Sequence, residues 1–300
     1  DLYLADKLLN ITPKIEEYLR KKIERVYSDE ARTGIFEEDN PFLEMISDDL
    51  LETSVAVANR WKEEFVVSEN QKTNDLVFIQ FSKEGVDHFA FLRIALRETL
   101  THLGGEVDNP IKLTQNNLPG FGTGADEALV INLQSRKYHL IEKRIKYNGT
   151  FLNYFSENLL QAQPKISPKK SIKALEKTAQ KIAESFNTDD FQFQSKVKSA
   201  IFNHIEEENK LSPEKLADDL FDDNLTARLS FIDQVKEAVP EPVTFEEIDA
   251  SRQLKKFENQ KLSLSNGIEL IVPNNVYEDA ESVEFILNEN GTYSILIKNI

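Results

Sequence analysis

Leu76-Val77-Phe78-Ile79-Gln80-Phe81 and His88-Phe89-Ala90-Phe91-Leu92-Arg93-Ile94-Ala95-Leu96 decide the fold class. Both runs are rich in β-formers; the first is apolar on both faces and the second is a buried apolar run. Lys83-Glu84-Gly85-Val86-Asp87 between them is turn-forming, so the pair reads as a hairpin. Ala128-Leu129-Val130-Ile131-Asn132-Leu133 is a third strand, and Tyr138 to Ile145 is expected to be a fourth. Links this short favour antiparallel pairing over crossover helices. The first half therefore predicts an α+β arrangement: an antiparallel sheet packed with helices, which are expected on one face.

On the N-terminal side, Thr12 is a cap and Pro13 the first helical residue of a helix predicted over 12–27. Ile15, Leu19, Ile23 and Val26 recur at helical spacing, and Arg20, Lys21, Lys22 and Arg25 decorate the rest. Leu43 through Phe65 follows a second helical period, with Trp61 assigned to the core rather than to a stacking platform. The opening, Asp1 then Leu2-Tyr3-Leu4, looks extended and reads as a chain whose first strand is missing.

On the C-terminal side, Phe151 to Leu160 is expected to be a short helix. Pro164 and Pro168 bracket a linker. Helices then follow through Ile172–Phe186, over 191–208, from Ser212-Pro213 and over 226–238. After Pro240 and Pro242 come short alternating runs, with Asn288-Glu289-Asn290-Gly291 turning into Tyr293–Ile297. The expected domains are 1–163 (α+β), 164–240 (helical) and 241–300 (a small C-terminal β module).

The chain has 300 residues, no cysteine and four histidines, none of which pairs with another at metal-ligand spacing. This excludes a disulfide scaffold, a thiolate zinc site and a cysteine nucleophile. No run of about 18 apolar residues offers a membrane span. His88, His102, His139 and His204 have no serine or carboxylate partner at motif spacing, and no catalytic residue, metal or cofactor is assigned. Gly120-Phe121-Gly122-Thr123-Gly124 departs from the dinucleotide pattern and leads to a strand rather than a helix, so it reads as a mobile hairpin loop. Asp218-Asp219 and Asp222-Asp223 read as an acidic, solvated helix end rather than a cation site.

Thirty-six basic residues face 52 acidic ones, a net charge of −16. The distribution is uneven. Residues 135–181 hold eleven Lys and Arg against three Glu, a net +8, which leaves −24 for the remainder. A phosphate-contacting surface is one reading of that band. A solvated helix face that balances acids elsewhere is the other, and charge by itself favours it.

Several segments together resemble the bacterial nucleoid-associated protein family of NdpA/YejK type. They are Val26-Tyr27-Ser28 with Gly34-Ile35-Phe36, the strand pair at 76–96, and Phe151-Leu152 ahead of the basic linker. In the last module, Val243-Thr244-Phe245 and Arg252-Gln253-Leu254-Lys255-Lys256-Phe257 are similar to the family's "SF…LRQLTKF" signature, and Gly267-Ile268-Glu269-Leu270 stands where its "GLTINF" strand stands. The chain departs from the family at Glu258–Ser263, where a glycine-rich turn is usual, and in lacking a basic tail. The resemblance implies a cytoplasmic protein found with the nucleoid that binds DNA without catalysis. Phosphate contacts fix position without reading sequence, so low specificity is expected. The residues assigned to DNA are Lys165, Lys169, Lys170, Lys173 and Lys177, with Arg136, Lys137, Arg144, Arg252, Lys255 and Lys256 secondary. The alternative is an acidic adaptor for a protein partner of the chromosome machinery, since the −24 body suits a basic surface. A homodimer is compatible with either.

Overall fold

The computed structural model describes residues 1–67, 72–102, 111–187, 192–264 and 267–299. They divide into two compact units, Asp1–Ser167 and Pro168–Ile300.

In the first unit, α1 (Pro13–Glu24) is capped by the Thr12 hydroxyl, which accepts from the Ile15 N–H. β1 (Arg32–Ile35), α2 (Pro41–Glu44) and α3 (Leu50–Val66) follow. The helical period from Leu43 is thus split, because Asp49 starts a new helix by accepting from the Leu51 and Glu52 N–H groups. Next come β2 (Asn74–Lys83), β3 (Val86–Ala95), β4 (Arg97–His102), β5 (Ile111–Asn117), β6 (Glu127–Asn132), β7 (Lys137–Ile141), β8 (Ile145–Tyr147) and β9 (Thr150–Leu152). The main sheet is antiparallel in the order β1-β7-β6-β3-β2. Glu84 and Gly85 have φ of 55° and 79°, the pair of positive values that a two-residue type I′ hairpin demands.

Helices cover both faces of this sheet, not one. Along β3, Phe89 and Phe91 pack with Val57 and Trp61 of α3, while Ala90, Leu92 and Ile94 pack with Val26 and with Tyr18 and Ile23 of α1. The period of two makes this unavoidable once every residue from Phe89 to Ala95 is apolar or paired. Two further expectations are corrected. The fourth strand stops at Ile141, so Arg144 lies beyond it. Phe151-Leu152 belongs to a strand pair, Lys146 opposite Phe151, and the helical turn begins only at Phe155–Leu159 with a wide π-type winding. The ribbon β4–β5 was not foreseen. Its Thr-, Asn- and Gln-rich residues are mostly exposed on both faces, so no apolar period announces it.

Two ion pairs tie the layers together. Glu127, fully buried on β6, accepts from Arg93 Nε of β3 at 2.6 Å and from the Tyr154 hydroxyl. Tyr154 in turn accepts from Trp61 Nε1 at 3.2 Å, and Arg93 also reaches Asn74 Oδ1 at 2.7 Å. Burial pushes the Glu127 carboxyl up, opposed by the guanidinium and the phenol. Glu142 accepts from Arg32 and, through both oxygens, from the Ser156 N–H and hydroxyl. Arg32 also donates to the Pro164 carbonyl at 2.9 Å, so the exit from this unit is fastened to β1. Gly34 is required on that strand because a Cβ there would collide with the Tyr138 phenol.

In the second unit, α4 (Pro168–Ser185), α5 (Phe193–Glu208), α6 (Pro213–Leu220) and α7 (Leu225–Lys236) share one apolar cluster with α8 (Ser251–Phe257). β10 (Lys210–Leu211) pairs with β11 (Val243–Thr244). The chain ends in two hairpins, β12 (Asn259–Ser263) with β13 (Glu269–Pro273) and β14 (Val283–Leu287) with β15 (Tyr293–Ile297), with α9 (Asn274–Tyr277) between them. Buried Gln260 on β12 donates to the Ser195 carbonyl of α5 at 3.2 Å and to Asn274 Oδ1 at 2.7 Å, so hairpin and helices are joined by a polar bond.

Glu127→Leu leaves the Arg93 guanidinium buried without its carboxylate and is expected to cost about 3–5 kcal/mol in urea unfolding; adding Arg93→Met should recover much of that loss. Burial pushes the Tyr138 phenol up to about 12. The unfolded chain ionises near its usual value of about 10, so stability is full below that pH and is lost as pH rises towards 12. Buried Tyr154 is pushed up as well, so urea titrations at pH 9 and pH 11.5 should show a loss from both phenols, of which Tyr138→Phe should remove roughly 2 kcal/mol.

Candidate nucleic-acid interface

The boundary after Ser167 falls inside the basic band. Arg136, Lys137, Arg144 and Lys165 therefore belong to the first unit, and the lysines of α4 to the second.

On α4, Ile172, Leu175, Ala179, Ile182 and Ala183 are buried. At about 100° per residue they form one stripe, and Lys169, Lys173, Lys177, Lys170 and Lys181 fall within an arc of about 120° opposite it. All five are exposed. The row runs about 18 Å along the helix at 1.5 Å per residue. Among the described residues, Lys170, Lys173 and Lys177 make no ion pair, whereas Lys181 donates to Gln234 Oε1 of α7 at 3.2 Å. Lys181 was counted in the band but not assigned to DNA; only the helical wheel of a helix with a known buried side places it with the others.

α8 approaches the edge of this face. Lys256 Nζ lies 3.3 Å from Glu176 of α4 and 4.3 Å from the Phe257 ring centre. Arg252 and Lys255 are exposed on the same short helix. They are partly balanced by Asp249, whose carboxyl is held low mainly by the Ser251 side chain and N–H, with Arg252 and Lys255 assisting.

In the first unit the basic residues do not form one row. Lys137 opens β7, and Arg144 lies three residues past its end at Ile141, so the two sit at opposite ends of the strand. Arg136, with φ of 59°, is 3.7 Å from Glu38. Arg144 donates to the Phe151 carbonyl at 2.6 Å. Lys165 is exposed; its N–H donates to the Thr33 carbonyl at 2.8 Å, and its own carbonyl accepts from Arg32.

A model of the family described as nucleoid-associated protein YejK matches residues 2–300. The chain belongs to that family. No curated protein matches it. The segments that resemble the YejK family now have structural roles. Gly34-Ile35-Phe36 runs from β1 past the Tyr138 phenol into the core, and Arg252–Phe257 lies in α8, seated on the helical cluster by buried Phe257.

The remaining clusters of this YejK-family chain are occupied by its own side chains. Asp218 pairs with Arg228 at 2.9 Å, Asp219 with His204 at 2.7 Å, and Asp222 with Lys196 at 3.2 Å. His204 thus does have a carboxylate partner, brought from α6 by packing rather than by sequence spacing. Among the described residues no group of three or more His, Cys, Asp or Glu is arranged to hold a metal ion. The glycine-rich loop, expected to be a mobile hairpin, is held at two of its carbonyls by α1. Lys22 is buried rather than decorating α1. Its Nζ donates to the Gly120 carbonyl at 2.8 Å and to the Thr123 carbonyl, under the Tyr18 ring at 4.3 Å. Burial, assisted by Arg25 and Arg97, pushes the Lys22 ammonium down. The loop's carbonyls face a cation, the reverse of a phosphate cradle, in which N–H groups converge.

Lys22→Met keeps the length of the side chain but leaves two loop carbonyls without their donor. It should cost about 1–3 kcal/mol and speed proteolysis near Phe121, read by denaturant unfolding and by mass spectrometry of the first cleavage products.

Proposed function

We propose that this chain is a nucleoid-associated, non-enzymatic protein that binds DNA in the cytoplasm with low sequence specificity. The observation that carries the reading is the lysine face of α4, directed away from its buried stripe and free of ion pairs at Lys170, Lys173 and Lys177 among the described residues. Lys169, Lys170, Lys173 and Lys177 supply the contacts, with Arg252, Lys255 and Lys256 flanking them. Lys165, Arg136, Lys137 and Arg144 are secondary contacts. Lysine ammonium groups are point charges that meet phosphate oxygens without selecting bases. A body at −16 repels the polyanion beyond this face, so affinity is modest and falls steeply with salt.

An acidic surface supports a second reading. Glu206 and Glu207 are exposed at the end of α5, beside Glu208, which pairs with Lys215. Such a surface suits a basic protein partner of the DNA-processing machinery.

Titration of labelled duplex DNA against the chain at several salt concentrations separates the two. The double variant Lys169→Glu, Lys170→Glu should weaken binding by about tenfold or more at low salt and reduce the salt slope by roughly two, since each phosphate contact contributes about 0.9 to it. Unchanged binding in that variant counts against the α4 face; no DNA retention at any salt, together with capture of a basic partner, favours the adaptor.

A further inference from the structure

A second group of basic residues lies outside the band of 135–181. On α1 and the turn that follows it, Lys14, Tyr18, Lys21 and Arg25 recur at helical spacing. At about 100° and 1.5 Å per residue they fall within an arc of about 60° and form a row about 16 Å long. Ile23 and Val26, on the other side, pack with the sheet.

The loop of residues 119–124 closes against this row. The Tyr18 hydroxyl donates to the Pro119 carbonyl at 2.9 Å. The Phe121 ring meets Tyr18 edge-on at 5.3 Å, with Lys21 Nζ 5.3 Å from its centre. A Cβ on Gly124 would lie 3.7 Å from Arg25 Cδ. Arg97, the first residue of β4, pairs across the ribbon with Asn117, just ahead of the loop. The loop thereby sets a strand guanidinium near the helical row. Lys22, buried beneath the loop, feels both sides: its ammonium is pushed down by burial and then by Arg25 and Arg97.

These charges are unevenly answered. Arg20 has Glu24 at 2.6 Å and Lys21 has Glu17 at 2.9 Å, each one turn away. Lys14, Arg25 and Arg97 are exposed, and among the described residues their side chains make no ion pair or hydrogen bond. Asp75, whose field reaches Tyr18 along with that of Arg97, does not pair with the guanidinium; partial burial alone pushes its carboxyl up. Cations gathered without counter-charge repel one another, and an anion among them relieves the repulsion. Guanidinium groups suit a phosphate, because their planar fork meets two of its oxygens at once.

We propose that Lys14, Arg25 and Arg97 form a second phosphate-contacting surface, in the first unit, that engages the DNA backbone. This rests on the reading of the chain as a DNA-binding protein and extends it. Each unit then carries a contact of its own, and joining two weak contacts in one chain raises the affinity of the whole.

Labelled duplex DNA, titrated against the unaltered chain, the Lys169→Glu, Lys170→Glu chain and an Arg25→Glu, Arg97→Glu chain, tests this. The arginine variant should bind about tenfold or more weakly at low salt and lower the salt slope by roughly two. Arg25→Lys with Arg97→Lys keeps the charge and should retain most of the binding. Circular dichroism and thermal melting should match the unaltered chain, since neither guanidinium is bonded to the rest of the described chain. If the glutamates disturb folding, Arg25→Gln with Arg97→Gln adds no charge and should show the same change of slope. A folded arginine variant that binds like the unaltered chain, while the α4 variant does not, overturns this surface and leaves the α4 face standing. A lysine variant as weak as the glutamate one also overturns it, because charge is then not what binds. No binding by the unaltered chain overturns both readings.

Discussion

Glu127 is the group around which the first unit is organised. A carboxylate with no exposure is costly unless it is paired and hydrogen-bonded. Here the pairing draws on four parts of the chain at once: Arg93 from the neighbouring strand, Tyr154 from the entry to the π-type turn, Trp61 behind Tyr154 from α3, and Asn74 from the edge strand through Arg93. No two of these elements can shift independently without exposing a charge to an apolar surround. The second pair, Arg32 with Glu142, does the same at the exit and holds Pro164 and Lys165 against β1. Both pairs set register and layer spacing, a role hydrophobic contacts perform less selectively.

The second unit is built by a different device. Its helices share one apolar cluster, and each presents a face defined by what it buries. On α4 this makes the lysine row a by-product of packing. Because Ile172, Leu175 and Ile182 must face inward, lysines at four-residue spacing must face outward in a row. Exposed lysines alone are common on helices, so the row by itself does not name a ligand.

The strands at 76–96 and 128–133, the helix caps at Thr12 and Ser212, and the core place of Trp61 were legible because each rests on a local rule of period, cap or turn. The lysines of α4 were legible as a group for the same reason. Lys22 was misread because its neighbours on α1 are solvent-exposed lysines and arginines, and only the approach of the 119–124 loop buries it. Phe151-Leu152 has the composition of a helix entry, yet pairing with Ile145–Tyr147 claims it for a strand. The ribbon β4–β5 buries too little to leave an apolar period.

From the order of residues alone came the α+β class, the apolar runs of the central strands, the helical stretch after Pro168 and the segment where positive charge gathers. Each is a matter of neighbours within a turn or two along the chain. Which charges are neutralised came only with the folded chain: Glu127 with Arg93, Asp222 with Lys196, Lys256 with Glu176. So did the division of the basic band between two units. These depend on contacts between residues far apart in sequence, and their distances are set by how layers pack, a quantity no local pattern encodes.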